Sequence, residues 1–286
     1  MSVNRVAILV DSCSDVPQHY IEQYHMYSVP VRIAYKNAEY YDRVDITPQE
    51  VYDRMGEEVP KTSQPSLEAI RDAFERIVHD GYDTVIAIAI SSGLSGTYNA
   101  MRLVAEDEKR LTIHVLDSLN IGIGTGVSAI YAGMLLEQGL SVDEVLAKLA
   151  ASIPHTHIYF SVATLDYLAK GGRIGKVSAV MGTLLKIKPI ITCNEEGVYV
   201  VAAKVRGRAQ SIAEIINIAV REAGKYIRYQ VMVAHGSAKE EARHALEELK
   251  RRLPNCENFI ESELSPALGV HTGPGLLGIG VHPLSL

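Results

Sequence analysis

The order in which residue types recur constrains this chain more than any single residue does. A short apolar run leads into small polar residues and then into helical periodicity, at "RVAILV" (residues 5–10), "TVIAIAI" (84–90) and "TIHVLD" (112–117). Strands that are apolar along their length are covered on both faces, as parallel strands between helices are. The first half is therefore predicted to be α/β with a mainly parallel sheet.

Between the first two runs the sequence predicts a strand near residues 26–33 and two capped helices. "TPQE" (47–50) sets a capping threonine, a first-turn proline and a glutamate at the capping-box position. Ser66 opens "SLEAIRDAFERIVHDG", whose Gly81 ends a helix, and "KTSQP" (61–65) is the loop before it. Residues 121–136 are almost wholly apolar but carry Gly122, Gly124, Gly126 and Gly133 and are short for a membrane span, so they are read as a buried helix.

After a helix around residues 141–153 the pattern changes. "HIYFSV" reads as a strand, "KVSAVMGTLLKI" as a helix, and "PIITCNEEGVYVVAAKV" as a hairpin turning at Asn194–Gly197. Two helices, the strand "YQVMVAHGS" and further strands follow. Hairpins mixed with helices predict an α+β second domain. The expected division is 1–150, an α/β domain, and 151–286, an α+β domain.

With 286 residues, 47% hydrophobic and 22% charged, a large interior is available. The net charge of −6 excludes a polyanion as main partner, so no nucleic acid is expected. Cys13, Cys193 and Cys256 form neither a CxxC pair nor a disulfide framework, and residues 1–12 read as a first strand rather than a signal peptide. Both features point to the cytoplasm.

The polar clusters carry the functional signal. "SSGLSGT" (91–97) follows a strand and precedes a helix, so it is either an anion cradle of backbone N–H groups and hydroxyls or a helix cap centred on Ser95. It lacks the lysine and spacing of a P-loop and the second spacer of a GxSxG elbow. Gly122-Ile123-Gly124 starts a dinucleotide fingerprint, but valine stands at 127. "DSCSD" (11–15) holds Asp11, a nucleophile or metal ligand in other folds; the plainer reading has Asp11 satisfying loop N–H groups and Ser14 or Asp15 capping the next helix. Thr62 and Ser63 of "KTSQPS" add neutral donors. "GVHTGPG" (269–275) sets His271 in a glycine-proline loop, away from helical or strand pattern. "KGGRIGK" (170–176) and "KVRGR" (204–208) are the compact basic clusters, solvated turns or anion contacts.

Together "DSCSD", "KTSQPS", "SSGLSGTY", "YLAKGGRIG", "KPI", "KVRGR" and "HTGPG", in this order over the whole chain, resemble the DegV family of bacterial fatty-acid-binding proteins, which includes the FakB subunits of fatty acid kinase. The resemblance implies two domains with a long lipid held between them. It implies a carboxylate held by Thr62, Ser92 and His271, with Ser63, Ser91 and Ser95 as neighbours. It implies no catalysis by the chain and no cofactor: the fatty acid is presented to an ATP-dependent kinase that makes an acyl phosphate. Arg173 and Arg206 match the motifs tied to docking or transfer, with Lys170, Lys204 and Arg208 in support. Membrane contact is at most transient.

The energetics fit. About fourteen methylenes at about 0.8 kcal/mol each give roughly 11 kcal/mol gross before association costs, so the tail supplies the affinity. Neutral donors then need only satisfy the carboxylate and leave it reachable for phosphoryl transfer. "VMGTLLKIKPII" and "GLLGIGV" are candidates for the tail tunnel. The competing expectation is a stand-alone phosphotransferase or hydrolase using Asp11, Ser92 and His271; a third is a lipid-sensing regulator that binds a protein through the arginine motifs.

Overall fold

A computed structural model of the chain describes residues 5–180 and 187–285. Four strands, β1 (Val6–Asp11), β2 (Tyr27–Val29), β6 (Thr84–Ala89) and β7 (Thr112–Asp117), form a parallel sheet in the order β2-β1-β6-β7. A small antiparallel sheet, β4-β3-β5, joins β3 (Arg32–Ala34), β4 (Glu39–Tyr41) and β5 (Lys61–Ser63). The later strands, β8 (His157–Ser161), β9 (Ile187–Cys193), β10 (Tyr199–Arg206), β11 (Tyr229–Gly236), β12 (Asn258–Glu263) and β13 (Leu276–Pro283), make one mixed sheet in the order β10-β9-β8-β13-β11-β12. The helices are α1 (Gln18–Gln23), α2 (Pro48–Arg54), α3 (Leu67–His79), α4 (Thr97–Asp107), α5 (Ile123–Glu137), α6 (Val142–Ser152), α7 (Asp166–Lys170), α8 (Arg208–Ala223), α9 (Lys239–Arg252) and α10 (Pro266–Thr272).

Side-chain alternation along the strands builds the layers. In the parallel sheet Ala7, Leu9, Val85 and Ala87 pack on Phe74 and Ile77 of α3 and Met101 of α4. Ile8, Val10, Ile86 and Ile88 face the other way, into a core shared with α5 and with Ile158, Phe160, Met232 and Ala234 of the mixed sheet. The far face of the mixed sheet, with Val231, Val233, Leu277 and Ile279, is covered by α8 and α9. Helix α5 therefore lies between two sheets, which is why it is apolar all round, as a helix without a solvent face must be. Its glycines permit the approach: a Cβ at Gly126 would stand 2.2 Å from the Ser14 carbonyl oxygen, and one at Gly133 would enter the Tyr24 ring.

The capping boxes form at Thr47 with Glu50 and at Ser141 with Glu144, Ser66 caps α3, and Gly81 takes a φ of +80°. The hairpin β9–β10 turns where its asparagine and glycine predict. Elsewhere local signals yield to context. The strand expected near 26–33 is two strands in different sheets, β2 and β3, separated at Pro30, which has no N–H to continue a ladder. Residues 61–63 are not loop but β5, because β3 offers them an edge to pair with. Pro17, not Ser14 or Asp15, precedes α1, and no side chain caps that helix. Of the helix read in "KVSAVMGTLLKI" (176–187), residues 176–180 belong to a 3-10 turn, Gly175–Val180, 181–186 lie outside the described residues, and Ile187 begins β9. Among the described residues no helix is long and apolar enough to cross a membrane.

Candidate functional site

An apolar cavity, partly open to solvent, occupies the middle layer beside α5. It lies past the carboxyl ends of β1 and β6, where β2 lies to one side of β1 and β6 to the other. That is where open parallel sheets leave a crevice for ligands. Ile90, Ile121, Ile123, Ile158, Phe160 and Leu268 are among its walls. The mixed sheet makes room by carrying small residues on that face: Ala234 on β11 and Gly278 on β13.

Polar side chains gather at one part of the lining: Thr62, Ser63, Gln64, Ser95, Arg173 and His271. Thr62 Oγ1 and His271 Nε2 share a hydrogen bond of 2.7 Å across 209 residues of sequence. β5 carries the threonine; α10 carries the histidine in its last turn. His271 thus stands on a helix rather than in the expected loop. Ser265 caps α10 through the Leu268 N–H, and Pro266 opens it, a start signal that the glycine-proline surroundings obscured. Burial, aided by the Arg173 charge, pushes the His271 pKa down to about 4, so its ring is neutral near pH 7. Its Nδ1 has no partner among the described residues.

The "SSGLSGT" turn divides its hydroxyls between two tasks. Ser95 lines the cavity, and its Oγ accepts from the Thr97 N–H at the start of α4. Ser91 is buried, and its Oγ donates to the Gly197 carbonyl at 2.8 Å, tying this turn to the β9–β10 hairpin. Gly93 is required there, since a Cβ would lie 2.7 Å from the Glu196 carbonyl oxygen. Ser92 is exposed, and its N–H donates to the Asp117 carboxylate at 3.1 Å. Neither Ser91 nor Ser92 is among the described lining residues, whereas Thr62, Ser63, Ser95 and His271 are.

Asp11 is fully buried, and its carboxylate accepts from the N–H groups of Cys13 and Ile90. Burial pushes its pKa up to about 7. Both oxygens are engaged in holding the strand ends, which leaves neither placed as a nucleophile. Arg173 is exposed at the cavity lining and donates to the Gly171 carbonyl, so the polar end is not free of positive charge as the motif alone suggested. Arg206 is exposed at the end of β10. Lys170 and Lys204 are exposed, but Arg208 is ion-paired with Glu241 and spoken for structurally. Of the tunnel candidates, Leu276 and Gly278 line the cavity, and residues 181–186 lie outside the described residues. Gln64, Asp15, Cys13 and Tyr199 also line it and were not singled out from sequence as cavity residues. Only Gln64 carried a signal, its place beside Thr62 and Ser63.

The family model for DegV, described as an uncharacterised protein family, matches residues 5–284. The chain belongs to the DegV family. A DegV domain-containing protein of Clostridium acetobutylicum is 42% identical over 277 residues, covering 97% of this chain and 98% of that protein. Among solved structures, a DegV family protein from Thermus thermophilus, described as binding fatty acid, superposes with a TM-score of 0.90 at 32% identity, over 98% of this chain and 100% of that one. A stearic-acid-binding protein from Eubacterium ventriosum gives 0.87 at 30% identity, over 98% of each chain. DegV of Bacillus subtilis, described as a fatty acid binding protein, gives 0.89 at 28% identity, over 98% of this chain and 99% of that one. The DegV fold, a parallel α/β sheet joined to a mixed sheet, thus extends over nearly the whole chain.

Proposed function

We propose that this protein binds a long-chain fatty acid in the cavity and presents its carboxylate to a separate ATP-dependent kinase for acyl phosphate formation. The observation that carries the binding half is the Thr62–His271 pair at the polar part of an otherwise apolar cavity between two sheets. With Nε2–H donating to Thr62 Oγ1, the threonine proton is free to donate to a carboxylate oxygen. Ser95 stands as a further donor, as does the Ser63 hydroxyl, which accepts from Arg32 Nε and keeps its own proton to give. Of the adjoining turn Ser92 joins the proposed set, whereas Ser91, whose proton goes to the Gly197 carbonyl, supports it by fixing the turn. A neutral histidine suits this role, because the carboxylate keeps its charge and its nucleophilic oxygen.

The reading takes residues 1–150 and 151–286 as two domains that close on the tail, and the cytoplasm as the place of action. Exposed Arg173 at the polar lining, with Lys170 close to it in sequence, offers the kinase and its phosphates a positive edge, and exposed Arg206 with Lys204 on β10 offers a second basic contact. The stand-alone phosphotransferase has less support, since the Asp11 carboxylate is occupied by two backbone N–H groups.

Mass spectrometry of the purified protein, native and after organic extraction, tests the binding half. About one fatty acid per chain is expected, and less in a Thr62→Val variant; an empty protein that takes up no added fatty acid overturns the reading. The kinase half is tested by incubating the loaded protein with ATP and a purified fatty-acid kinase subunit, trapping acyl phosphate as hydroxamate. Product is expected with the wild type and little with Arg206→Ala. Hydroxamate formed by the chain and ATP alone would instead establish the enzyme.

A further inference from the structure

The cavity contains one polar group that an unsubstituted acyl chain leaves unexplained. Asp15 is buried and lines the cavity. Its Oδ1 is engaged, accepting from the Ser265 N–H at 2.8 Å and from Arg43 Nη2 at 2.9 Å. Its Oδ2 has no hydrogen-bond partner among the described residues. That oxygen is turned toward the lumen wall: a Cβ at Gly122 would stand 3.0 Å from Oδ2 and 3.5 Å from Leu268 Cδ1, and Gly122 and Leu268 both line the cavity. A buried acceptor without a donor is rare and costly.

The backbone shows that this carboxyl group is held in place. Asp15 has a φ of +52°, in the left-handed region that residues with a Cβ seldom adopt. The fold maintains it there by the Ser262 hydroxyl, which donates to the Asp15 carbonyl, and by the Arg43 ion pair. Aspartate is among the residues that tolerate this region, and Asp15 closes the 3-10 turn Ser12–Ser14 with it, which fixes the direction of its side chain.

Its place along the cavity is also defined. Asp15 meets α10 at its cap, Ser265, while His271 stands in the last turn of the same helix. Six residues of helix span about 9 Å, the reach of about seven extended methylenes. A fatty acid whose carboxylate is at Thr62 and His271, and whose tail runs along α10 past Leu268, brings its middle carbons to Oδ2.

We propose that the cavity is suited to a long-chain fatty acid bearing a hydroxyl group on its middle carbons, the hydroxyl donating to Asp15 Oδ2. The inference rests on the fatty-acid reading above and narrows its ligand class. A cis double bond at the same carbons bends the chain but brings no proton for the oxygen, so the geometry favours the hydroxyl.

The test uses the unaltered full chain at pH 8.5, where Asp15, raised by burial to about 7, is ionised and its Oδ2 can only accept; a fluorescent fatty acid is displaced by octadecanoic acid and by its 3-, 10- and 17-hydroxy derivatives. Comparing the hydroxy isomers with one another removes most of the shared cost of taking a hydroxyl from water. The 10-hydroxy acid is expected to bind about tenfold more tightly than the 3- and 17-hydroxy acids, the scale of one buried hydrogen bond made or missed. It is also expected to match or exceed octadecanoic acid. Equal binding of the three isomers, or weaker binding of all three than of octadecanoic acid by tenfold or more, overturns the inference and leaves the fatty-acid reading standing. Failure of octadecanoic acid itself to bind overturns both.

Discussion

Thr62 and His271 meet at 2.7 Å although 209 positions separate them, and each is ordinary in its own segment. The hydrogen bond is what makes the pair a candidate carboxylate holder. Replacing Thr62 with valine keeps the shape and removes the hydroxyl. We expect fatty-acid affinity to fall about tenfold, the scale of one hydrogen bond to a charged group, measured by displacement titration, with the melting temperature of the unloaded protein lowered modestly because the buried His271 ring loses its Nε2 partner. Sequence motifs pointed to Thr62, Ser63, Ser95 and His271, which line one cavity, and equally to Ser91, whose hydroxyl is given to the hairpin, and Ser92, which is exposed and bonds Asp117 through its backbone N–H. Nothing in "SSGLSGT" distinguishes these serines. Which hydroxyl faces the lumen depends on how the turn packs against residues 196–197, and those arrive from the other sheet.

At the scale of elements, β13 offers a contrast between two glycines on one face. A Cβ at Gly278 would find Phe160 and Ile158 at 3.5–3.7 Å, ordinary contact, and would project into the lumen. A Cβ at Gly280 would stand 2.7 Å from the His157 carbonyl oxygen and 2.6 Å from Met232 Cε. Gly278→Val is therefore expected to fold and to discriminate against long acids; excluding two methylenes forfeits about 1.6 kcal/mol, near a tenfold loss for octadecanoate while shorter acids hold. Competition between acids of graded length reads that out. Gly280→Ala is expected instead to cost about 1–3 kcal/mol of stability in urea unfolding, the usual cost of overpacking. An unchanged urea midpoint would show that the backbone yields there. Both glycines sit in "GLLGIGV", and the sequence does not tell the tunnel glycine from the packing one. The difference is the carbonyl of the neighbouring strand.

For the whole molecule, buried titratable groups pull in opposite directions with pH. His282 is fully buried, hydrogen-bonded through Nδ1 to Thr156, and burial pushes its pKa down to about 3. The unfolded chain takes up that proton below about pH 6.5 while the folded chain refuses it, so this contribution to stability is lost as the pH falls from 6.5 toward 3. His271 acts in the same sense, down to about 4. Asp11 and Asp15 act oppositely: burial raises both to about 7, so the folded state holds protons that the unfolded state releases above about pH 4, and their contribution grows as pH falls below 7. Stability is expected to change little between pH 6.5 and 5. His282→Gln removes one opposing group. Relative to the wild type it is expected to gain about 2 kcal/mol on going from pH 7 to pH 5, read from urea unfolding at the two pH values. A constant difference across that range would show that His282 keeps its ordinary pKa.

The alternation of β1, β6 and β7 with helices, the capped helices α2 and α3, the helix α6, the hairpin and the buried character of α5 were determined by the sequence alone, because each rests on neighbours a few residues apart: a hydroxyl and a glutamate three positions on, a glycine with positive φ, an apolar period. The family, too, was carried by motifs in order along the chain. What only the tertiary structure decided were the facts that depend on distant partners. These include β5 as a strand against β3, His271 on a helix beside Thr62, the Ser91 tie to Gly197, and the Asp15 oxygen left without a donor beside Gly122. Short-range hydrogen bonds and periodicity are written in consecutive residues. A cavity between two sheets is defined by which surfaces fail to touch, and no stretch of sequence records that.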